Sequence, residues 1–420
     1  MTRILVLGGR ATMLRKAVDL GYEVVYVQKP AYFDPATISY CSQVHLLDFQ
    51  DIPLITSVAQ AIHAVTPFDR VITQIENGQM VAAHLTDVLR LPGVSRAMVS
   101  RLHDKSALRN LLNEARLSPV DAVVATTRGE LHDFLTRHGS AVVKPLMGSG
   151  SLGVRKIGSP ADLDTAWQWL QDLKIDKFLV EELLHGPEFS VETFSNGAEH
   201  DVIAITGKFT GTGVVELAHV VPAQVSAVDA EEIGALVRAL LDAVGYRDGP
   251  AHTEVILTPA GPRIIESHAR RGGDHIPDLV ELVYGVDLEK LTFALVEGVA
   301  HATVKRDVDR AAAIHFLVAD PGVVTEVSGV EEASAVPGVV RVDISVEEGD
   351  VVHELRWSED RCGYVIVQDR DPDIALATAR EAVRMIEIRT STPAERKVQT
   401  LGEILAAAHE IHDPFDTVSE

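Results

Sequence analysis

The chain has 420 residues, 46% hydrophobic and 24% charged, with a formal charge of −23 from 38 basic and 61 acidic side chains. That length exceeds what one ordinary core fills, so several domains are expected, and the acidic excess argues against a nucleic-acid partner, which would need a strongly positive face. No apolar run approaches the ~18 residues of a membrane span. The only two cysteines, Cys41 and Cys362, suit a reducing cytoplasm and provide neither a disulfide framework nor a metal cluster.

In chain order, MTRILVLGG reads as a buried strand ending at a glycine turn, without the small-residue cleavage site of a signal peptide. Residues 3–8, 23–28 and 69–76 read as apolar strands, with a helix over 11–21, which predicts a parallel sheet flanked by helices. Gly8 and Gly9 follow the first strand. A third glycine is missing, however, and the second strand ends in Gln28 where a ribose-binding acid would stand, which argues against NAD(P).

Residues 100–117 read as one helical stretch, with Asp104-Lys105 near its start. A strand, turn and helix follow over 122–139, then a hairpin over 141–158 with a long glycine-serine tip. Next come a helix over 160–174, strands over 177–183, 201–207 and 213–221, a helix over 229–244, and a strand pair over 251–268 turning at Pro-Ala-Gly-Pro. Beyond residue 303, short strands and a helix over 373–388 read as a small α+β module covering the preceding domain. Residues 396–420 add a helix and an acidic tail.

The chemistry concentrates in five places. The segment AVVKPLMGSGSLGVRK (141–156) sets Lys144 before a glycine loop, the reverse of a P-loop, in which the lysine follows the glycines. Lys105 follows an Asp at a helix start. VEELLHGPEFSVE (180–192) places Glu181 and Glu188 seven residues apart, Glu254 and Glu266 lie on strands joined by a short turn, and ESHARRGGD (266–274) adds Arg270 and Arg271. Taken singly, a lysine at a strand end suits a solvated surface and a glycine tip suits a mobile loop. A carboxylate inside an apolar strand is different, because burying it unpaired costs several kcal/mol. Glu254 and Glu266 in antiparallel strands could share a face and hold Mg²⁺.

The ordered set, lysine, lysine with glycine loop, Glu-rich strand with GPEF, Glu…Glu and Arg, resembles the ATP-grasp superfamily over roughly residues 1 to 300. Within it the chain looks most like the L-amino-acid (dipeptide) ligases. The resemblance implies an α/β ATP-grasp fold: a Rossmann-like domain over 1–98, a small lid subdomain over 99–183, a large antiparallel-sheet subdomain over 184–302, a C-terminal α+β subdomain over 303–394 and a helical tail over 395–420. It also implies that Lys105 and Lys144 neutralise phosphates, while the loop of Gly148, Ser149, Gly150, Ser151 and Gly153 folds over the triphosphate of ATP. Glu181, Glu182 and the backbone around Leu183 would contact adenine, and Glu188 the ribose. Glu254 and Glu266 would bridge Mg²⁺, and Arg270 would steady the phosphoryl group in flight.

One departure stands out. The family has Glu-x-Asn-x-Arg where this chain has Glu266-x-His268-x-Arg270. Imidazole is a poorer partner than an amide carbonyl for hard Mg²⁺, so His268 weakens the second metal position and manganese is expected to be tolerated better.

On the substrate side, Glu216 and His219 match the family's Glu-x-x-His stretch, with Ala218 altering its third position. By that resemblance Glu216 would meet a substrate ammonium, and His219 the carboxylate or acyl phosphate. Gly272 and Gly273 would open backbone amides to an anionic intermediate, and Asp274 would order Arg271. The implied reaction joins a small-molecule carboxylic acid to an amine, both amino acids, through an acyl phosphate. No nucleic-acid or membrane partner is implied, and the family resemblance allows a homodimer. A carrier-bound or larger acceptor, and a non-catalytic ATP sensor, are the alternatives.

Overall fold

The first strand, RILVL, is buried at every position, as a parallel strand covered on both faces must be. In the computed structural model, which describes residues 1–148, 150–197, 199–211, 213–298 and 309–391, β1 (Arg3–Leu7), α1 (Ala11–Asp19), β2 (Glu23–Gln28), β3 (Gln43–Leu46), α2 (Ile52–Val65), β4 (Arg70–Thr73) and α3 (Gln79–Leu89) form this unit. Its sheet is parallel, in the order β3-β2-β1-β4.

The helical stretch expected over 100–117 is broken in two, α4 (Arg96–His103) and α5 (Lys105–Glu114). The cause is Asp104. Its backbone is extended, and its carboxylate accepts the amides of Ser106 and Ala107 at 2.8 and 3.1 Å, capping α5. Lys105 thereby becomes the first residue of a helix, and its amide donates to the Leu146 carbonyl at the root of the glycine loop.

A lid follows: β5 (Ala122–Ala125), α6 (Arg128–His138), β6 (Ala141–Pro145), β7 (Arg155–Ile157), α7 (Leu163–Asp172) and β8 (Phe178–Glu181). Its antiparallel sheet runs β5-β8-β6-β7 over a core that includes Phe134, Leu170 and Phe178.

The central body comprises β9 (Glu188–Asn196), β10 (Glu199–Thr210), β11 (Glu216–Val221), α8 (Ala227–Val244), β12 (Gly249–Thr258), β13 (Gly261–His268), α9 (Ile276–Tyr284) and α10 (Leu288–Ala294). It is followed by β14 (Ala311–Leu317), β15 (Gly322–Ser328), α11 (Val330–Ser334), β16 (Val339–Ile344), β17 (Val351–Val352), β18 (Gly363–Asp369), α12 (Pro372–Met385) and β19 (Glu387–Ser391). The C-terminal strands do more than cover the core. β14, β18 and β16 continue its sheet, in the order β13-β12-β9-β10-β11-β14-β18-β16, while β17-β15-β19 form a separate small sheet. The helix expected over 373–388 stops at Met385, and residues 387–391 pair as a strand with β15. The tail expected over 396–420 lies outside the described residues. Among the described residues no helix is long and apolar enough to cross a membrane.

The two faces of the central sheet differ. Phe189, Val191, Ala251, Val255 and Ile264 pack with Ile233, Val237 and Leu240 of α8 in one core. Register places a polar cluster from β9, β12 and β13 on the opposite face: Glu254 faces Glu266 and Ser190, and His252 faces His268 and Glu192. Replacing Asp104 by Ala is expected to cost about 1 kcal/mol through the lost cap. Thermal denaturation of the variant tests this.

Candidate active site

Lys208 organises the polar face. It stands opposite Glu188 on β9 and His219 on β11, and its buried Nζ lies 3.0 Å from Glu188, 3.0 Å from Glu216 and 2.5 Å from Glu254. Burial alone would lower its pKa, but the charges of Glu254, Glu216 and Glu188 outweigh that and hold it well above the usual lysine range. A register shift between β10 and β11, with Leu217 the extra residue on β11, sets Glu216 opposite Thr210 and His219 opposite Lys208. Glu216 and His219 therefore share one face despite a three-residue spacing that would separate them on a regular strand.

Two further lysines stand across from carboxylates. Lys105 Nζ lies 3.2 Å from Glu266 and donates to the Gly148 carbonyl at 2.6 Å. Lys144 Nζ lies 2.8 Å from Glu181, whose other oxygen accepts from Arg109 Nε at 2.5 Å. Burial opposes ionisation of Glu181, but Lys144 and Arg109 prevail and its carboxyl stays below the usual range. Its side chain is thus taken up by cations.

Lys105, Lys144, Gly148, Ser151, Glu181, Glu182, Leu183, Glu188, Glu216, Glu254 and Glu266 all line one cleft of about 380 Å³. Gly150 and Gly153 lie in the loop over it, and Ser149 falls outside the described residues. Gly153 has φ +71°, and a Cβ there would come within 2.8 Å of the Pro145 ring, so the loop's return requires glycine.

Glu254 and Glu266 are direct cross-strand partners. Burial would raise the Glu254 carboxyl, yet Lys208 holds it down to about 2 against the repulsion of Glu266. Burial likewise opposes ionisation of Glu266, and Lys105 keeps it well below the usual range. Two opposed, ionised carboxylates beside a lysine-lined cleft fit a hard divalent cation carried by a polyphosphate. The ligand oxygens of Glu188, Glu216 and Glu254 also lie within 4.8 Å of one another, around the Lys208 ammonium.

His268 does not offer a free lone pair here. Its Nε2 lies 3.1 Å from Glu266 and its Nδ1 3.3 Å from Glu76. It stands beside the metal candidates as a partner of Glu266. Arg270 pairs with the same Glu76, which also meets His103 at 3.1 Å. Two expectations need correction. Asp274 does not order Arg271: Arg271 pairs with Glu289 at 2.8 Å, while Asp274 binds Arg361 and His219. The Gly272 amide is not open to an anion either, since it donates to Glu192 at 2.9 Å.

Three family models match the chain in order: an ATP-grasp N-terminal domain over residues 14–93, an ATP-grasp domain over 138–278, and an L-amino acid ligase C-terminal domain 2 over 315–391. The chain carries an ATP-grasp domain and resembles the carboxylate–amine ligases that share it. Among curated relatives, this ATP-grasp chain is 28% identical over 332 residues to an uncharacterized protein, y4rH, of Sinorhizobium fredii, covering 77% of this chain and 65% of that protein. It is 24% identical over 345 residues to the L-arginine-specific L-amino acid ligase of Bacillus subtilis, covering 78% of this chain and 81% of that one. In fold it is similar to the L-amino acid ligase of Bacillus licheniformis, with a TM-score of 0.79 at 22% identity over 93% of this chain and 99% of that one.

The sequence reading missed Lys208, Glu76, Glu192, His252 and Arg361. For Lys208 a signal existed: a lysine within an alternating strand raises the same question of burial as Glu254 did. For Glu76 and Arg361 there was none, because their partners lie 194 and 87 residues away. Replacing Lys208 by Met is expected to destabilise the protein by about 3–5 kcal/mol, leaving its carboxylates unneutralised. Mg²⁺ should then raise the variant's melting temperature more than the wild type's. Equal Mg²⁺ shifts in the two proteins would count against this electrostatic account of the cluster.

Proposed function

We propose that the chain activates the carboxylate of an amino acid with ATP and Mg²⁺ and joins it to an amine, releasing ADP and phosphate. The observation that carries this reading is the alternation of Lys105, Lys144 and Lys208 with Glu254 and Glu266 around one cleft. Phosphoryl transfer asks for this arrangement: positioned charge around the phosphates and little covalent participation by the protein. Mg²⁺ would be held by Glu254 and Glu266 and would neutralise charge on the transferred phosphoryl group. Lys105 and Lys144 would grip the phosphates, the 148–153 loop would exclude water, the backbone of 181–183 would meet adenine, and Glu188 the ribose. Arg270, held by Glu76, would face the acyl phosphate. Glu216 would meet a substrate ammonium, with His219 on the same face. Similarity to the L-arginine-specific ligase favours amino acids as substrates. A cytoplasmic setting, where ATP is replenished and thiols stay reduced, suits the reaction.

A second chamber of about 860 Å³ opens between the N-terminal unit (Gly9, Lys29, Phe49), the core (Asp274, Phe316) and the C-terminal strands (Ser345, Arg361). Its size favours a second reading in which the chemistry is the same but the acceptor is larger than a free amino acid.

ADP release from MgATP, measured against single amino acids and amino-acid pairs with mass spectrometry of the products, tests the proposal. Release that requires two components, with a new mass equal to their sum minus water, is the expected result. ADP silence across the panel with ATP still bound would contradict free amino acids as the substrates. In the same assay Glu266→Ala is expected to lose at least roughly a hundredfold in turnover with its fold intact. Retained turnover would overturn the metal assignment.

A further inference from the structure

Asp274 lines the large chamber and is approached from two sides. From β11, His219 Nε2 lies 2.9 Å from its Oδ2. From the turn before β18, Arg361 clamps it in a fork, with Nη2 to Oδ1 at 2.6 Å and Nη1 to Oδ2 at 2.9 Å. The guanidinium is fixed in turn. It stacks 3.6 Å from the Phe316 ring centroid, donates through Nε to the Ser358 carbonyl at 2.7 Å, and reaches the Glu216 carbonyl at 3.3 Å. This satisfies a planar, forked donor on both its edges and its face.

The chain of contacts sets the chemistry of His219. An ionised carboxylate only accepts hydrogen bonds, so Nε2 must carry the ring proton toward Asp274. In the neutral ring Nδ1 is then the bare acceptor. It is buried and has no hydrogen-bond partner among the described residues. The imidazole itself, 1% exposed, is packed edge-on against the same Phe316 that Arg361 covers. The turn that presents Arg361 also touches the phosphate loop, where the Ser358 amide donates to the Gly150 carbonyl at 3.4 Å.

We propose that Arg361 is a positioning residue of the acceptor side of the site. By clamping Asp274 it fixes the orientation and tautomer of His219, so the C-terminal strands contribute to the active site and do not merely enlarge the sheet. The consequence for turnover rests on the ligase reading above. The consequence for His219 does not.

The deciding experiment is ¹⁵N-histidine NMR of the full chain without substrates, with the His219 signals identified by their loss in His219→Gln. At a pH where the ring is neutral, wild type should show a single tautomer, protonated at Nε2 and bare at Nδ1. Arg361→Ala and Asp274→Asn should show mixed or reversed tautomers, and adding guanidinium to Arg361→Ala should restore the wild-type pattern. Arg361→Lys, which keeps the charge and loses the fork, should restore it only in part. A wild-type pattern in Arg361→Ala, with a lowered melting temperature alone, would overturn the proposal and reduce Arg361 to a bolt between β18 and the core. Once a substrate pair is known, Arg361→Ala should lose about tenfold to a hundredfold in kcat, as loss of a residue that orients an active-site ligand does, with KM for ATP unchanged. Failure of that assay alone, with the tautomer shift present, would count against the ligase reading and leave the positioning role standing.

Discussion

Everything in this site depends on burying like charges side by side without leaving any of them alone. Glu254 and Glu266 face each other across two strands, and each would be driven to protonate by its burial and by the other. Lys208 and Lys105 prevent that. In turn Lys208 could not stay charged in its buried position without Glu188, Glu216 and Glu254. The face is therefore one electrostatic unit, and removing a single member leaves its neighbours unneutralised. Such a unit would suit the metal-bound polyphosphate proposed above, whose negative oxygens and cation would each find partners already held in place.

The sheet that carries this unit also explains the reach of the C-terminal strands. Because β14 pairs with β11 and β18 with β14, the turn before β18 is registered to the strand bearing Glu216 and His219. Arg361 can then meet Asp274 from outside the ATP-grasp match, which ends at residue 278. The N-terminal unit reaches in from the other side through Glu76, which holds Arg270. Three parts of the chain thus converge on one face, and the chamber between them is a product of that convergence.

Much of this was legible in the sequence, for a local reason. Strand alternation reports which residues share a face, so Glu254 and Glu266 could be paired from their flanking apolar residues alone. The lysine before the glycine loop belonged to the ordered set that resembles ATP-grasp, and an ATP-grasp domain model matches residues 138–278. Legibility failed where a single residue or a distant partner decides the outcome. Asp104 looked like part of a helix because apolar spacing continues through it, but its short acceptor side chain competes for the next helix's amides. Asp274 looked like a partner for its neighbour Arg271, yet each found a better-placed ion from another element, Arg361 and Glu289. Residues 387–391 looked like the end of a helix until pairing with β15 claimed them. The Glu216–His219 relation was hidden by a register shift that no periodicity announces.

The central claim is that a carboxylate is activated by phosphoryl transfer on this face. It is tested most directly by giving the enzyme an amino acid with an ¹⁸O-labelled carboxylate, its amine partner and MgATP, and weighing the inorganic phosphate released. Transfer of one ¹⁸O into phosphate for each product formed is the result this account predicts. Phosphate free of label, with product still accumulating, would contradict it.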